Sequence, residues 1–383
     1  MAADRLEIFE MMWLTKKALW YFGLYSSKNM RSNILCKMNL TLILFLWLSF
    51  LTLMCMEFLE DVSLFLDIVL VFYGITWCTG KLLLFLYISS DFNVIENLLE
   101  KSSLNMQNAE QDKLVSTTIR NYQNITKLYS CLFATAILGI SAFPFVNKET
   151  LIVPIWAPIC RNNTVATYFW FAYEAFCMYT AGTVFCGVDF IMLGLMMIIA
   201  LQYKILRDNL EKSAKRDPRK DYLTQEREIQ ERLRKCVVHH NAILELTEKV
   251  ETTFSSIFLY QVLVSVLGIC VAAVQIVLIP SVAVKHAPPC MVLLALIFQI
   301  SIPCWFGQNI KTQSLGVTDS CYASEWYTCS TSTKKMFFVI MEKAKNPATL
   351  RAKPFFQLSL ETFVMVLRNA YFYFTVVHQV YQQ

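Results

Sequence analysis

Seven stretches of this chain are apolar for long enough to cross a lipid bilayer, which takes about 20 residues of helix. They cover residues 38–56, 62–90, 128–146, 164–203, 257–284, 288–310 and 355–383. Backbone inside hydrocarbon must satisfy its own hydrogen bonds, so such runs become helices. The charged fraction of 16%, against about 25% in soluble domains, agrees. The sequence therefore specifies an all-α membrane protein with seven transmembrane helices. The fourth run carries no helix breaker and would make about 60 Å of helix, twice the hydrocarbon thickness, so it must project from the membrane. No cleavable leader is expected, because residues 1–10 are mixed in charge. Residues 1–37 read as an amphipathic lead at the interface, with Trp13 and Trp20 among Lys16 and Lys17.

Basic residues set the orientation. Lys and Arg crowd the segment before span one and those after spans two, four and six. Lys148, Arg161 and Lys285 are the ones in the alternate set, and Lys81 and Arg368 lie within spans. The N-terminus is then cytoplasmic and the C-terminus extracellular. The sequon at Asn162 falls outside, where glycosylation is expected. Cys160 and Cys290 also fall there and are candidates for a disulfide pinning the outer loop. The expected organisation is a six-span ligand-binding domain over 1–310 with charged helical extensions at 204–254. A cytoplasmic anchor helix at 311–346 and a last span over 347–383 follow.

That last span is not cleanly apolar. Glu361, Arg368, Thr375, Gln379 and Gln382 follow one another at helical spacing and form one stripe. A charge at the bilayer centre costs about 2.5–3.5 kcal/mol on the insertion scale, so the stripe must face protein or water. It is either the wall of an ion path or a seam packed within a bundle. Asp67, Lys81 and Asp189 are further intramembrane charges, for which a functional role and a structural partner are both open.

Other chemistry is sparse. The 13 cysteines are scattered without a CxxC pair and suit buried thiols. His239 and His240 with Cys236 sit on a charged segment expected to be solvated, so no metal is assigned there. The four histidines are dispersed, which gives no basis for an enzyme, a cofactor or a nucleic-acid partner. The orientation is the inverse of a G-protein-coupled receptor, and neither Asp-Arg-Tyr after span three nor Asn-Pro-x-x-Tyr in span seven occurs.

The C-terminal sixty or so residues carry a family likeness. Ser324-Glu325-Trp326-Tyr327 precedes a basic segment and Asn346-Pro347. Then come Phe355-Phe356-x-Leu358-Ser359-Leu360-Glu361-Thr362-Phe363 and Tyr371-x-Tyr373-Phe374. This order resembles the insect odorant receptors. Tyr373 and Gln379 echo the Tyr-x5-Gln pattern of the related gustatory receptors, but Phe372 and Val380 depart from it. The resemblance implies a plasma-membrane, tetrameric, odorant-gated cation channel of a sensory neuron dendrite, with the last helix lining a central pore. The gate would fall on Val376 and Val380, with Gln379 between them facing permeating cations. The cytoplasmic extensions would form a shared anchor between subunits. About fifty residues separate spans four and five, too few for the family's shared co-receptor, so the chain resembles a ligand-tuning subunit that pairs with it in a heterotetramer.

A small volatile odorant would then bind in the outer half of spans two to six. Candidate contacts there are Phe72, Tyr73 and Thr76; Leu138, Gly139 and Phe143; Tyr173, Phe176, Tyr179 and Thr180; and Val271 and Gln275. Aromatics with a few hydroxyls or amides suit a pocket of about 300–1,000 Å³. A gustatory-type channel is the nearest alternative. A secondary transporter is a second, which would need paired broken helices or inverted repeats that the sequence lacks.

Overall fold

The structure is a computed structural model that describes residues 12–24, 30–61, 64–99, 104, 111–147, 151–156, 164–219, 221–278 and 287–382. Nine α-helices account for most of these residues. They are α1 (Trp13–Tyr21), α2 (Met30–Glu60), α3 (Phe65–Leu99), α4 (Asp112–Asn147) and α5 (Thr164–Ser213), then α6 (Tyr222–Leu278), α7 (Ala287–Ala323), α8 (Thr331–Ala344) and α9 (Leu360–Gln382). Helices α2 to α7 are each long and apolar enough to cross a membrane. Helix α9 is the seventh span of the fold; its 23 residues would measure about 35 Å.

The bundle is built around α5. A helix that is apolar on all sides must be buried on all sides, and from Val184 to Tyr203 almost every side chain of α5 is buried. It touches α1, α2, α3, α4, α6 and α7. Helix α1 corrects the interfacial reading of the N-terminal lead. Met12 and Leu19 are fully buried and pack where Gly194 and Gly187 leave room on α5. The helix ends in a Schellman turn, with Gly23 at φ 76° and the Leu24 N–H donating to the Leu19 carbonyl at 3.0 Å.

Past the apolar belt, α5, α6 and α7 continue as a helical unit joined by α8. This part corrects the expectation of a solvated face around Cys236, His239 and His240, all of which are buried. Leu233, Ile243 and Leu246 share their side of α6 and are also buried. Charged residues such as Arg234, Lys235 and Glu245 do occur along α6, but its other side is core. His239 Nε2 meets Gln202 Oε1 of α5 at 2.8 Å. Burial, with His240 beside it, pushes the His239 imidazole down to about 4, so it is neutral at pH 7. No metal-ligating group of three occurs among the described residues.

The charged segment after span six is two elements rather than one. Helix α7 stops at Ala323, a 3₁₀ turn covers Trp326–Thr328, and α8 starts afresh behind the Ser330 cap, whose Oγ accepts from the Thr333 N–H. Glu226 of α6 holds this junction. Its carboxylate accepts from the Ser330 N–H at 3.0 Å and the Thr333 hydroxyl at 2.5 Å, and pairs with Arg216 at 3.1 Å. Burial alone would raise the Glu226 pKa, but these donors outweigh it and hold the carboxyl below its ordinary value. A hairpin then leads to α9: β1 (Arg351–Ala352) pairs antiparallel with β2 (Phe356–Gln357), turning at Lys353 with φ 55°. Gly307 of α7 lets Leu358 approach closely, since a Cβ there would lie 2.7 Å from the Leu358 Cβ.

Replacing Glu226 by Ala should take the acceptor from the Thr333 hydroxyl and leave Arg216 with the Thr328 carbonyl and the Tyr222 ring but no carboxylate. It is expected to lower stability by about 2 kcal/mol, measured as a lower melting temperature of the detergent-purified protein, whereas Glu226→Gln should cost less.

Candidate functional site

Five helices meet at a buried ionic network. The Lys81 ammonium of α3 pairs with Asp189 of α5, at 1% and 13% side-chain exposure, and donates to Gln261 Oε1 of α6 at 3.1 Å. Asp189 Oδ2 also accepts from the Tyr129 hydroxyl of α4 at 2.7 Å and from Gln299 Nε2 of α7 at 3.0 Å. Two charges taken out of water are tolerated when paired and fully hydrogen-bonded. Here the donors and acceptors come from five different segments, so the network fixes how those segments stand relative to one another.

An aromatic layer lies directly on this network. Trp77, Phe133 and Phe185 each sit four residues, one helical turn, from Lys81, Tyr129 and Asp189 respectively. The Lys81 ammonium lies 4.1 Å from the Phe185 ring centroid, a cation–π contact. Phe185 packs on Trp77 at 5.0 Å and on Phe133 at 5.3 Å. Above these rings is a cavity of about 120 Å³ bounded by buried and half-buried side chains of α3, α4, α5 and α7. Its walls are almost wholly apolar, including Ile75, Ile140, Met178, Ala181 and Leu296. The Tyr73 hydroxyl is spent on the Val264 carbonyl of α6 at 2.5 Å. Trp77 Nε1 is buried without an acceptor among the described residues. The cavity thus offers shape and ring faces, and one of its wall residues, Trp77, keeps an unspent N–H donor.

Tyr73 is the expected ligand contact that lines this cavity. Phe72 packs into the main core, while Thr76 and Leu138 are exposed. Gly139 faces Met291 of α7, and Phe176 is exposed. Tyr173 and Thr180 turn toward α2: the Tyr173 hydroxyl donates to the Leu46 carbonyl at 2.9 Å, and Trp47 Nε1 donates to Thr180 Oγ1 at 3.0 Å. Helical phase explains this split. The side of α5 bearing Met178, Ala181, Gly182 and Phe185 faces the cavity, and Tyr173 and Thr180 lie on the side toward α2. Tyr179 lines a separate groove between α4 and α5. Val271 and Gln275 are on α6, away from the cavity wall. The Phe143 side chain, Cys160 and Asn162 fall outside the described residues, and Cys290 is half-buried near the start of α7. Trp77, Phe133, Phe185 and the Lys81–Asp189 pairing were not among the expected site residues.

Helix α9 buries Thr362, Val366 and Ala370, spaced four apart, against α6 and α7. Glu361, Arg368 and Gln379 are exposed, as are Val364, Tyr371 and Val376. Three members of the polar stripe therefore lie on the side turned away from the chain's own bundle; Thr375 is half-buried and the Gln382 side chain lies outside the described residues. The Val380 side chain lies outside the described residues.

A multi-pass helical bundle with a buried apolar cavity among its membrane-length helices and an amphipathic last helix defines a class of helical membrane protein with room for a small apolar ligand. The comparisons give the family. The model for the 7tm odorant receptors matches residues 61–371, and the chain belongs to that family. It is similar to putative odorant receptor 92a of Drosophila melanogaster, 23% identical over 304 residues that cover 75% of this chain and 72% of the relative. Odorant receptor 67c of the same fly is 26% identical over 231 residues, 59% of this chain and 54% of that one. In structure it is similar to olfactory receptor OR5 of the insect Machilis hrabei, solved with eugenol. That comparison has a TM-score of 0.83 and 18% identity, and covers 98% of this chain and 100% of the other. The likeness shows a shared fold.

Removing one charge of the network should be costly and removing both less so. Lys81→Met is expected to destabilise by about 3–5 kcal/mol by leaving Asp189 buried and unpaired, while Lys81→Met with Asp189→Asn, which removes the second charge but keeps an acceptor for Tyr129 and Gln299, recovers part of that loss. Melting temperatures of the three purified proteins check this.

Proposed function

We propose that this chain is a ligand-tuning subunit of an odorant-gated, non-selective cation channel. Its N-terminus is cytoplasmic, and it assembles with co-receptor subunits in a heterotetramer at the sensory neuron's plasma membrane. The observation that carries the reading is the buried apolar cavity resting on the Trp77, Phe133 and Phe185 rings. An engineered apolar cavity of about 150 Å³ holds benzene, so 120 Å³ matches a single ring or a short branched chain. Trp77 Nε1 favours a ligand that carries an acceptor, such as an ester, ketone or ether oxygen. Burying such an oxygen without a donor would be unfavourable, so the indole sets both chemistry and pose. Odorant receptors of the fly among the similar proteins support an odorant as the ligand, and an insect receptor solved with eugenol supports an aromatic one.

The outward polar stripe of α9 supports a pore wall formed with neighbouring subunits. Val376 and Val380 would close it by dewetting, and Gln379 between them would meet the permeating ions. A transporter would use intramembrane charges such as Asp67, Lys81, Asp189 and Arg368 as a path; Lys81 and Asp189 instead neutralise each other inside the bundle and Arg368 is exposed on α9, while the Asp67 side chain lies outside the described residues.

Whole-cell recording with and without the co-receptor, across a panel of single-ring volatiles, tests the reading. An odour-evoked cation current that requires both chains is expected; surface-expressed protein that gives none would overturn it. Two substitutions separate pocket from pore. Trp77→Phe should raise the half-maximal concentration about tenfold for acceptor-bearing ligands, the value of one buried hydrogen bond, and leave hydrocarbons unchanged. Gln379→Lys should reduce cation current or shift its reversal potential for every ligand while leaving the half-maximal concentrations in place.

A further inference from the structure

The buried cavity has a neighbour. A groove of about 320 Å³ lies along α4 and α5, with Thr15 and Ala18 of α1 at one end. Groove and cavity share three wall residues, Phe133, Ile137 and Gly182. Thr15, Cys186 and Gly187 along the groove are buried, but Ser130, Ala134, Tyr179 and Thr183 also line it and are exposed, unlike any residue of the cavity wall. It therefore opens on the outer surface of the bundle, along the stretch where α4 and α5 are apolar enough to lie in the membrane.

The partition between the two spaces is thin. Gly182 presents no side chain, and a Cβ built there would lie 2.6 Å from Ile137 Cδ1, with nothing else within 4 Å. At this point α4 and α5 are separated by the tip of one isoleucine. Rotation about the outer torsion of Ile137 moves that methyl while the branched carbon stays in place, and no backbone displacement is needed.

We propose that the α4–α5 groove is the route by which a small apolar volatile reaches the cavity from the lipid phase, with Ile137 against Gly182 as its door. The proposal rests on the reading of the cavity as the odorant site. Its physical basis is continuity: an apolar cavity lined by buried and half-buried side chains, a surface groove in the hydrocarbon belt, and one flexible side chain between them. A molecule that suits the cavity also leaves water for hydrocarbon favourably, so the membrane concentrates it at the groove's mouth. The hydroxyls of Ser130 and Tyr179 along the groove accommodate a carbonyl or ether oxygen on the way.

The test separates path from site. A barrier on a path slows arrival and departure by the same factor and leaves the equilibrium unchanged. Thr183 and Ala134 line the groove and not the cavity, so Thr183→Trp and, as an independent obstruction, Ala134→Trp block the path without touching the site. Odour-evoked current is recorded with rapid application and washout, together with surface expression. Both variants are expected to slow onset and washout alike, by about fivefold or more, at an unchanged half-maximal concentration. Unaltered onset and washout in both surface-expressed variants would overturn the proposal. So would a changed half-maximal concentration with unaltered onset, which would make the groove a binding site for odorant or lipid instead of a route. Gly74→Leu tests the cavity itself, because Gly74 lines it and a Cβ there meets nothing within 4 Å. A raised half-maximal concentration in Gly74→Leu with faster washout and onset not slowed supports the cavity. An unchanged one locates the failure in the odorant-site reading, and with it the door loses its destination.

Discussion

The pairing of Lys81 with Asp189 is the constraint on which the bundle depends. Neither charge can be left alone in a low-dielectric interior, so each helix that supplies a partner is bound to one position. Tyr129, Gln261 and Gln299 bring α4, α6 and α7 to the pair carried by α3 and α5. Apolar packing between membrane helices sets no comparable register, because lipid tails are as apolar as the side chains they replace. The network does set one, and the aromatic layer and the cavity follow from it one turn away on three helices. A ligand in the cavity touches rings that themselves lie on the ionic groups, so its binding bears on the element that positions five helices.

The last helix stands in a different relation to the bundle. It is held on one side by Thr362, Val366 and Ala370 and is tied at its start by the hairpin, where the Thr362 hydroxyl donates to the Gln357 carbonyl at 2.5 Å. That hairpin packs on α6, and Ser314 of α7 accepts from the Ala348 N–H at 3.0 Å. Helices α6 and α7 therefore contact the network, the cytoplasmic unit and α9 alike. Any coupling between cavity and α9 has a short physical route through them, and it needs only small shifts of packed helices.

Much of this was legible in the sequence. Length and hydropathy gave the spans, and the absence of a breaker between Thr164 and Tyr203 foretold a helix longer than the membrane is thick. The stripe of Glu361, Arg368 and Gln379 lies on the exposed side of α9. What could not be read was phase between helices. Tyr173 and Thr180 carry the right chemistry for a ligand contact but are spent on α2, and only contacts with other helices decide that. The buried pair was visible as two isolated charges, and the aromatic residues four positions from Lys81, Asp189 and Tyr129 were the signal that could have joined them. The cytoplasmic histidines misled for a related reason. Dense charge along 204–254 masks a regular apolar side of α6, with Leu233, Ile243 and Leu246 at helical spacing around Cys236 and His239.

The central claim is that a single-ring volatile occupies the space above Trp77, Phe133 and Phe185. The most direct measurement is a cryo-electron-microscopy structure of this chain with its co-receptor in the presence of an activating aromatic ester or ether. The account predicts ligand density between α3, α4, α5 and α7, with an oxygen within hydrogen-bond distance of Trp77 Nε1. Density for the activating ligand elsewhere in the chain, with this cavity unfilled, would contradict it.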